Sequence, residues 1–365
     1  MKSYSEFMEY IKENVTDYLP ERFEEAEISI QQVVKNNDVV LDGLSIRNPD
    51  SNLSPNIYLN PLYEQYQKGR NLDELVSGIA DTYIENMEPI ENRTFQVQIE
   101  DIKNYEVVKG EIFPRLVNLE KNTTRLQNVP YTQREDLAIT YHVKVSGNRD
   151  SIGSLMITNE LIEVYGVTKE KLHTQAMENM ERLSPPVFLP LGEMIVDVMT
   201  EDFGRNEGVS QEEAKEYVKD MIPTGGPNVY CLTNQYKMNG AVGIMSESIQ
   251  QMVADRVGGD YYVLPSSVHE VLIVPQSAGM DPEELTDMVN TVNEGCVMQD
   301  EILSDHVYQY DAKEHKLSLC APAKEMKQEQ TMEQNRQPAF EEKSIDATKQ
   351  PEQSHEPIKH SGRSH

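Results

Sequence analysis

Apolar residues recur three or four positions apart near the N-terminus, at Phe7, Tyr10, Ile11 and Val15. This spacing predicts an amphipathic helix that ends at Pro20. The pattern then changes to two apolar runs that flank the turn residues of 36–38, which predicts a β-hairpin. A short strand and two helices are expected to follow it.

The middle of the chain alternates between strand and helix patterns. Residues 94–101 alternate in polarity like a strand, and residues 104–122 predict further helix that is interrupted by Pro114. Two runs that meet at Gly147 and Asn148 predict a second hairpin. Two helices, a brief strand and one more helix complete this part of the chain.

The last part of the chain has the clearest pattern. The segment VYCLTNQYKMNGAVGIM predicts a strand, a turn at Asn239-Gly240 and a second strand, before a capped helix. The segment YYVLPSSVHEVLIVP, from Tyr261 to Pro275, predicts a buried hairpin with a polar tip. Asp281 then starts a helix as a capping carboxylate, and HVYQYD with KLSLC predicts a final hairpin.

These patterns predict an α+β fold with two lobes, each a small mixed or antiparallel sheet with packed helices. The acidic stretch that ends in Gly-Gly-Pro has few large apolar residues, so we expect a linker or a surface excursion there. The C-terminal tail has too few aliphatic residues to offset its chain entropy, and we expect it to be disordered. The N-terminal region, the linker, the C-terminal region and the tail are placed at 1–200, 201–228, 229–321 and 322–365.

Within the N-terminal region, two strands followed by two helices are predicted twice. The first set lies near 27–87 and the second near 137–183. The order of elements therefore suggests an internal duplication, although the residues of the two sets do not align.

The net charge of −29, from 62 acidic and 33 basic residues, limits the partners to expect. Such an anion is repelled by nucleic acid and by anionic lipid, so we expect neither as a partner and favour another protein. Cys231, Cys296 and Cys320 are far apart and odd in number, as is typical of reduced cytoplasmic thiols. The charged N-terminal segment is unlike a signal peptide, and no run reaches the roughly 20 apolar residues of a membrane helix. We therefore expect a cytoplasmic protein.

Motifs of common enzyme classes are missing from the sequence, among them GxGxxG, GxxxxGK[ST], GxSxG and HExxH. The tip of the predicted 261–275 hairpin nevertheless carries a possible catalytic set. Ser266 or Ser267 would be the nucleophile and His269 its base. Glu270 follows His269 directly on a strand, so it points to the opposite face and cannot orient the imidazole. A polar turn in a core hairpin is the simpler interpretation.

A second candidate set lies in the segment LSDHVY. If His306 and His269 lie at neighbouring strand ends, they and Asp305 would form a site of two histidines and one carboxylate, which suits a divalent metal. In the alternative, Ser304 and Asp305 cap a turn and His306 is a half-exposed strand residue. The sequence indicates no cofactor.

Other polar residues have ordinary structural explanations. Glu193, Asp197 and Glu201 share one helix face, where they would bind a divalent cation only if a second helix supplied more ligands. A solvated acidic face is the simpler interpretation. We expect His142 and His173 to be packing or surface residues.

Four stretches together resemble a known family: VVKNNDVVLDGLSIR with NIYLNPLYEQYQKG, ITNELIEVYGVTKEKLHTQAMENM, VYCLTNQYKMNGAVGIM, and GGDYYVLPSSVHEVLIVP with LSDHVYQYD. Over residues 1–321 the chain is similar to domain-of-unknown-function family 5688, found mainly in anaerobic Gram-positive gut bacteria. The resemblance implies no reaction, cofactor or catalytic residue. It implies an accessory role, because members often accompany mobile elements, and it keeps LPSSVHEVLIVP and LSDHVY as candidates for the shared function.

Two hypotheses of function follow. The first is a non-catalytic, cytoplasmic interaction or accessory protein, which the missing motifs and the negative charge favour. The second is a metal-assisted or serine-type hydrolase that uses His269, Asp305 and His306 and requires these side chains to converge. The patterning leaves open whether the protein is an enzyme, and also its oligomeric state.

Overall fold

The computed structural model describes residues 1–48, 56–91, 99–147, 152–219, 221 and 228–320. The helices are α1 (Tyr4–Asn14), α2 (Leu59–Gln67), α3 (Leu72–Glu91), α4 (Tyr105–Val108), α5 (Thr123–Leu126), α6 (Asn159–Tyr165), α7 (Lys169–Leu183), α8 (Leu191–Glu207), α9 (Gln211–Lys219), α10 (Glu247–Val257) and α11 (Pro282–Gly295). The strands are β1 (Glu27–Val34), β2 (Val40–Arg47), β3 (Asn56–Tyr58), β4 (Ile112–Asn118), β5 (Tyr131–Arg134), β6 (Leu137–Gly147), β7 (Ile152–Met156), β8 (Pro186–Pro190), β9 (Tyr230–Asn234), β10 (Tyr261–Leu264), β11 (Val271–Pro275), β12 (Tyr308–Asp311) and β13 (Lys316–Leu319). The strands pair antiparallel in three sheets with helices packed on them, which confirms the α+β class.

The first sheet has the strand order β1-β2-β3 and shares a hydrophobic core with α1 and α3. The predicted first hairpin is confirmed, because β1 and β2 pair in register from Glu27 with Arg47 to Val34 with Val40. At the N-terminus, the Ser3 side chain caps α1, and the helix buries its apolar stripe in this core as its spacing predicted.

The tip of this hairpin contacts a distant part of the chain. Asn37 has a left-handed φ of 58°, which asparagine tolerates better than most residues. Its Nδ2 donates to the backbone oxygens of Gln299 at 2.8 Å and Ile302 at 2.7 Å, while Asn36 Nδ2 donates to that of Asp300 at 2.9 Å. The turn therefore attaches the first sheet to the C-terminal part of the described chain.

The second sheet is built on β6, with β4 on one side and β5 and β7 on the other. The predicted hairpin of β6 and β7 is confirmed. The helix predicted over 104–122 is wrong for most of its length, because α4 is short and β4 follows it. This strand is buried on both faces apart from Arg115, so its apolar run carries no period that separates strand from helix. Pro114 is tolerated because β4 is an edge strand.

The third sheet has the order β13-β12-β10-β11-β9-β8. The predicted hairpins β10–β11 and β12–β13 are both confirmed. The pairing of β8 with β9 joins strands on either side of the predicted 201–228 boundary, and Met1–Cys320 forms one compact unit. In that stretch α8 continues to Glu207, and α9 buries Ala214 and Val218, so its described part is mostly helical. Its role as a linker or an excursion stays a prediction.

The predicted second strand after Asn239 is wrong, because Gly240–Met245 forms a 3₁₀ helix. Its Gly240 N–H donates to the backbone oxygen of His269 at 2.9 Å, which draws this segment against the end of the β10–β11 connection. Residues 94–98 of the strand predicted over 94–101 lie outside the described residues, and its described part, Ile99–Asp101, forms a 3₁₀ helix instead. The disordered tail predicted over 322–365 lies entirely outside the described residues. None of the described helices is long and apolar enough to cross a membrane.

Each of the two stretches proposed as a duplication contains an antiparallel hairpin followed by two helices. The first has β1 and β2 before α2 and α3, with β3 in addition. The second has β6 and β7 before α6 and α7. The order of elements agrees with the proposal, and the duplication itself stays a prediction.

Candidate functional site

A pocket of about 280 Å³ lies where the second sheet meets the tip of the β1–β2 hairpin and the β10–β11 connection. Its basic lining residues are Lys35, Arg115, Arg125, His142 and His269. Such a concentration of basic groups is unexpected in a chain whose net charge is −29. The pocket is therefore the strongest candidate site in the part of the chain that the structure describes.

Arg115 projects into this pocket from β4. Its Nη2 donates to Ser154 Oγ at 2.8 Å, and its guanidinium lies 5.5 Å from the ring centroid of Phe113. The Nε atom is buried and has no hydrogen-bond partner, and no carboxylate of the described residues pairs with the side chain. Burial, with a smaller contribution from Arg125, lowers the pKa of Arg115 to about 10. The group is thus a cation at neutral pH with an unused donor.

Arg125 lies on α5 and is also partly buried. Burial lowers its pKa, and the nearby Asp38 only partly offsets this effect. The Asp38 carboxylate instead accepts from the backbone N–H groups of Thr124 at 2.8 Å and Arg125 at 3.2 Å. This carboxylate therefore serves the first turn of α5, and the Arg125 guanidinium has no ion pair within the described ranges.

His142 lies on β6 and is 3% exposed. Its Nε2 is 3.2 Å from the Thr140 hydroxyl, and its ring lies 5.8 Å from that of Phe113. Burial first, and then repulsion by Arg115 and Arg125, hold the pKa of His142 well below 6.5. The imidazole is therefore neutral at neutral pH and adds a polar group, not a charge, to the pocket wall.

This depressed pKa makes the stability of the protein depend on pH. Below about pH 6.5 the unfolded chain binds a proton at residue 142 that the folded protein does not bind. The free energy of unfolding therefore falls by up to about 1.4 kcal/mol for each unit by which the pH is lowered. We expect His142→Gln to remove this part of the slope between about pH 5 and pH 7. Urea denaturation of both proteins across this range measures it, and parallel stability curves would contradict the assignment.

His269 also lines the pocket, and both of its ring nitrogens are engaged. Its Nδ1 accepts from the Asn239 N–H at 3.2 Å, so the proton is on Nε2, which lies 3.2 Å from Glu301 Oε1. The Ser267 hydroxyl accepts from the His269 backbone N–H at 3.0 Å and shows no bond to the ring. The imidazole thus has no free nitrogen for a metal, and no serine hydroxyl of the described residues bonds to it.

His306 belongs to a different network, built on Asp136. The Asp136 carboxylate accepts from Ser304 Oγ at 2.7 Å and lies 3.0 Å from His306 Nδ1, and it also accepts from the Tyr308 hydroxyl. Ser304 is fully buried, and its hydroxyl bonds to the acid instead of the imidazole. The order Ser–Asp–His cannot activate the serine, because a nucleophile needs the imidazole as its immediate base.

Asp305 is engaged by two other side chains. Its carboxylate accepts from Lys121 Nζ at 3.0 Å and from Asn293 Nδ2 at 2.8 Å. Burial alone would raise the pKa of Asp305, but these two hydrogen bonds, together with the charges of Lys121 and His306, outweigh burial and lower the pKa. The described residues contain no group of three or more His, Cys, Asp or Glu that could hold a metal ion, so His269, Asp305 and His306 are not brought together.

The remaining candidates have structural partners. Asp197 lies 3.5 Å from Lys215 and Glu201 lies 3.1 Å from Lys237, so these carboxylates of α8 form exposed ion pairs; Glu193 lies on the same helix. Burial first, and then the charge of Glu270, raise the pKa of Cys231 to about 12, which makes the thiol unreactive. His173 Nδ1 lies 3.1 Å from the Tyr141 hydroxyl.

The residues that the sequence analysis missed are Lys35, Arg115 and Arg125 in the pocket and Asp136 beside His306. One signal for Arg115 was present, since it is the single charged residue in the apolar run IFPRLVN. An arginine in a run that is buried on both sides needs a partner or a ligand. No comparable local signal marks Lys35, Arg125 or Asp136.

A family model described as a family of unknown function, DUF5688, matches residues 4–312, which is most of the chain. This match agrees with the resemblance of the four quoted stretches. No curated protein and no solved structure matches the chain. The chain therefore belongs to the family of unknown function DUF5688.

Proposed function

We propose that this protein is a non-catalytic accessory protein that binds a small anion in the Arg115–Arg125 pocket. The observation that carries the proposal is the buried, unpartnered Nε of Arg115, next to a second arginine without an ion pair in the described chain. Leaving a buried cation uncompensated is costly. Such a cost is expected where a ligand supplies the missing charge.

The charges of the pocket favour an anion of low charge. Lys35, Arg115 and Arg125 line it together with the acidic residues Asp300 and Glu301, and Glu301 is already bonded to His269. A volume of about 280 Å³ suits inorganic phosphate, a small phosphate ester or a short dicarboxylate. Two guanidinium groups can hold the oxygens of either class by charge-assisted, bidentate hydrogen bonds.

The setting of this activity is also part of the proposal. All three cysteines are free, and Cys296 is exposed, which fits the reducing cytoplasm. The chain charge of −29 disfavours nucleic acid and anionic membranes as partners. We therefore propose a cytoplasmic location in a bacterium, an accessory role associated with mobile elements, and another protein as the partner that senses the bound anion.

The test is isothermal titration calorimetry with inorganic phosphate and, separately, with succinate. We expect saturable binding of one of them, and the stronger ligand identifies the anion class. Arg115→Met and Arg125→Met should each weaken this binding at least tenfold, since a hydrogen bond to a charged group contributes about 1.5–3 kcal/mol. The matched control is Arg182→Met, which removes an exposed arginine that already pairs with Glu111 and should leave affinity unchanged.

Stability separates a binding role from a structural role of Arg115. Replacing an uncompensated buried cation with methionine should raise the free energy of unfolding of the ligand-free protein by about 1–2 kcal/mol. Phosphate or succinate should then stabilise the natural protein but not this variant. Absence of saturable binding by both anions, or full affinity in both arginine variants, would refute the proposed function.

A further inference from the structure

A second pocket, of about 330 Å³, lies on the face of the third sheet that is turned away from the large core. On β9, Leu232 faces the large core, whereas Cys231 and Thr233 face this pocket, as the alternation of side chains along a strand requires. One wall comes from α8 through Met194 and Val198, and the other from the packed helix α11. We call this space the α8–α11 groove.

The α8–α11 groove is mostly apolar and open to solvent. The α11 side chains Met288 and Val292 are 49% and 40% exposed, and Val198 on α8 is 40% exposed. Deeper in the groove, Leu264 and Val289 are buried. Apolar groups that line an open concave surface on both sides are typical of a ligand site, because a ligand removes their contact with water.

The groove also contains a carboxylate, that of Glu270. Burial raises the pKa of Glu270, and His269 and a hydrogen bond from Ser267 oppose this effect. No lysine or arginine of the described residues forms an ion pair with it, and the lysine that lines the groove, Lys237, is 3.1 Å from Glu201. Glu270 is thus a half-buried acid in largely apolar surroundings. No lysine or arginine of the described residues neutralises it, and the neighbouring His269 only partly offsets the effect of burial, which favours a cationic ligand group.

Neighbouring residues of one strand end serve the two pockets separately. His269 lines the Arg115–Arg125 pocket, whereas Glu270 lines the α8–α11 groove. Around Glu270, Ser266 and Thr233 contribute further polar groups. A protonated primary amine has three donors, so it can pair with the carboxylate and donate to a hydroxyl while its apolar chain lies on Met288 and Val292.

We propose that the α8–α11 groove binds a primary alkylamine, with its ammonium group on Glu270 and its hydrocarbon chain between α8 and α11. The small volume suits one aliphatic chain. The carboxylate selects the cation over a neutral or anionic head group of the same length. The α8–α11 groove does not depend on the Arg115–Arg125 pocket, since the two sites share no lining residue.

The test uses three probes with the same chain length: n-octylamine, 1-octanol and octanoate. Methionine ¹³C-methyl NMR of the full chain follows the signals of Met194 and Met288, which line the groove. We expect octylamine to shift both signals saturably and to bind about tenfold more tightly than octanol, because only the ammonium group forms a charge-assisted hydrogen bond with the carboxylate. Octanoate should bind more weakly than octanol.

Glu270→Gln should weaken octylamine about tenfold, to the affinity of octanol, while octanol affinity stays unchanged. The matched control, Glu294→Gln, removes an exposed carboxylate of α11 and should change neither affinity. Met288→Gln should weaken both probes alike, because half-exposed Met288 contacts the chain and not the head group. Equal affinity of octylamine and octanol for the natural protein, or an unchanged preference in Glu270→Gln, would overturn the proposal.

Discussion

Tyr261→Ala is expected to lower the free energy of unfolding by about 4 kcal/mol, the usual range for removing a buried aromatic ring. Tyr261 is fully buried on β10, between β11 and β12 in the third sheet. Its ring stacks on that of Tyr310 with 4.9 Å between centroids. The truncation would leave a cavity in the core shared by the second and third sheets, and urea or guanidinium denaturation measures the loss.

The control for this prediction is Tyr261→Phe. The Tyr261 hydroxyl donates to the backbone oxygen of Gln250 at 3.3 Å, a long bond whose loss should cost about 1 kcal/mol. The large difference between the two variants is therefore expected to come from the ring. If Tyr261→Ala lost no more stability than Tyr261→Phe, the ring could not be a tightly packed part of this core.

Gly240→Ala is expected to lower the free energy of unfolding by about 3 kcal/mol, the upper range for overpacking a core. A Cβ atom at this position would lie 2.5 Å from Thr233 Oγ1, 2.6 Å from the Asn234 nitrogen and 2.8 Å from the His269 oxygen. Two of these atoms belong to the backbone and cannot rotate away. Thermal or denaturant unfolding of the variant tests this close approach.

Gly78→Ala is the matched control for Gly240→Ala. Gly78 lies within α3, and apart from its chain neighbours and the backbone of its own helix no atom lies within 4 Å of a Cβ at this position. The same substitution should therefore raise stability by about 0.5–1 kcal/mol, because alanine favours a helix more than glycine does. Similar stability changes in the two alanine variants would show that the contact at Gly240 is not restrictive.

The hairpins were predictable because each has two local signals, an apolar run on either side and a polar turn between them. This holds for the first hairpin with its turn at Asn36-Asn37-Asp38 and for Tyr261–Pro275. β4 lacked such signals, since it is buried on both faces and its partner β6 lies beyond α5 and β5. The pairing of β8 with β9 was equally hidden, because the acidic helices between them resemble a linker in composition.

The candidate site was only partly predictable for the same reason. His269 was named from its place at a polar strand end. Arg115 and Arg125 meet it only through the long-range pairing of β4 with β6 and the position of α5, which no local pattern encodes. His306 was also named, but its partner Asp136 is 170 residues away in sequence. Proximity in sequence therefore suggested that a serine and a histidine are partners, whereas in the folded protein each of these histidines lies beside a carboxylate, Glu301 or Asp136.

The attachment of the first hairpin turn to residues 299–302 has a consequence for how the protein could report its ligand. Lys35, at the start of this turn, and Arg115 of the second sheet both line the Arg115–Arg125 pocket. A ligand that contacts both side chains links the first sheet to the second sheet. By thermodynamic linkage, a change that stabilises the contact of the hairpin turn with residues 299–302 raises the affinity for the ligand, and a change that weakens this contact lowers the affinity.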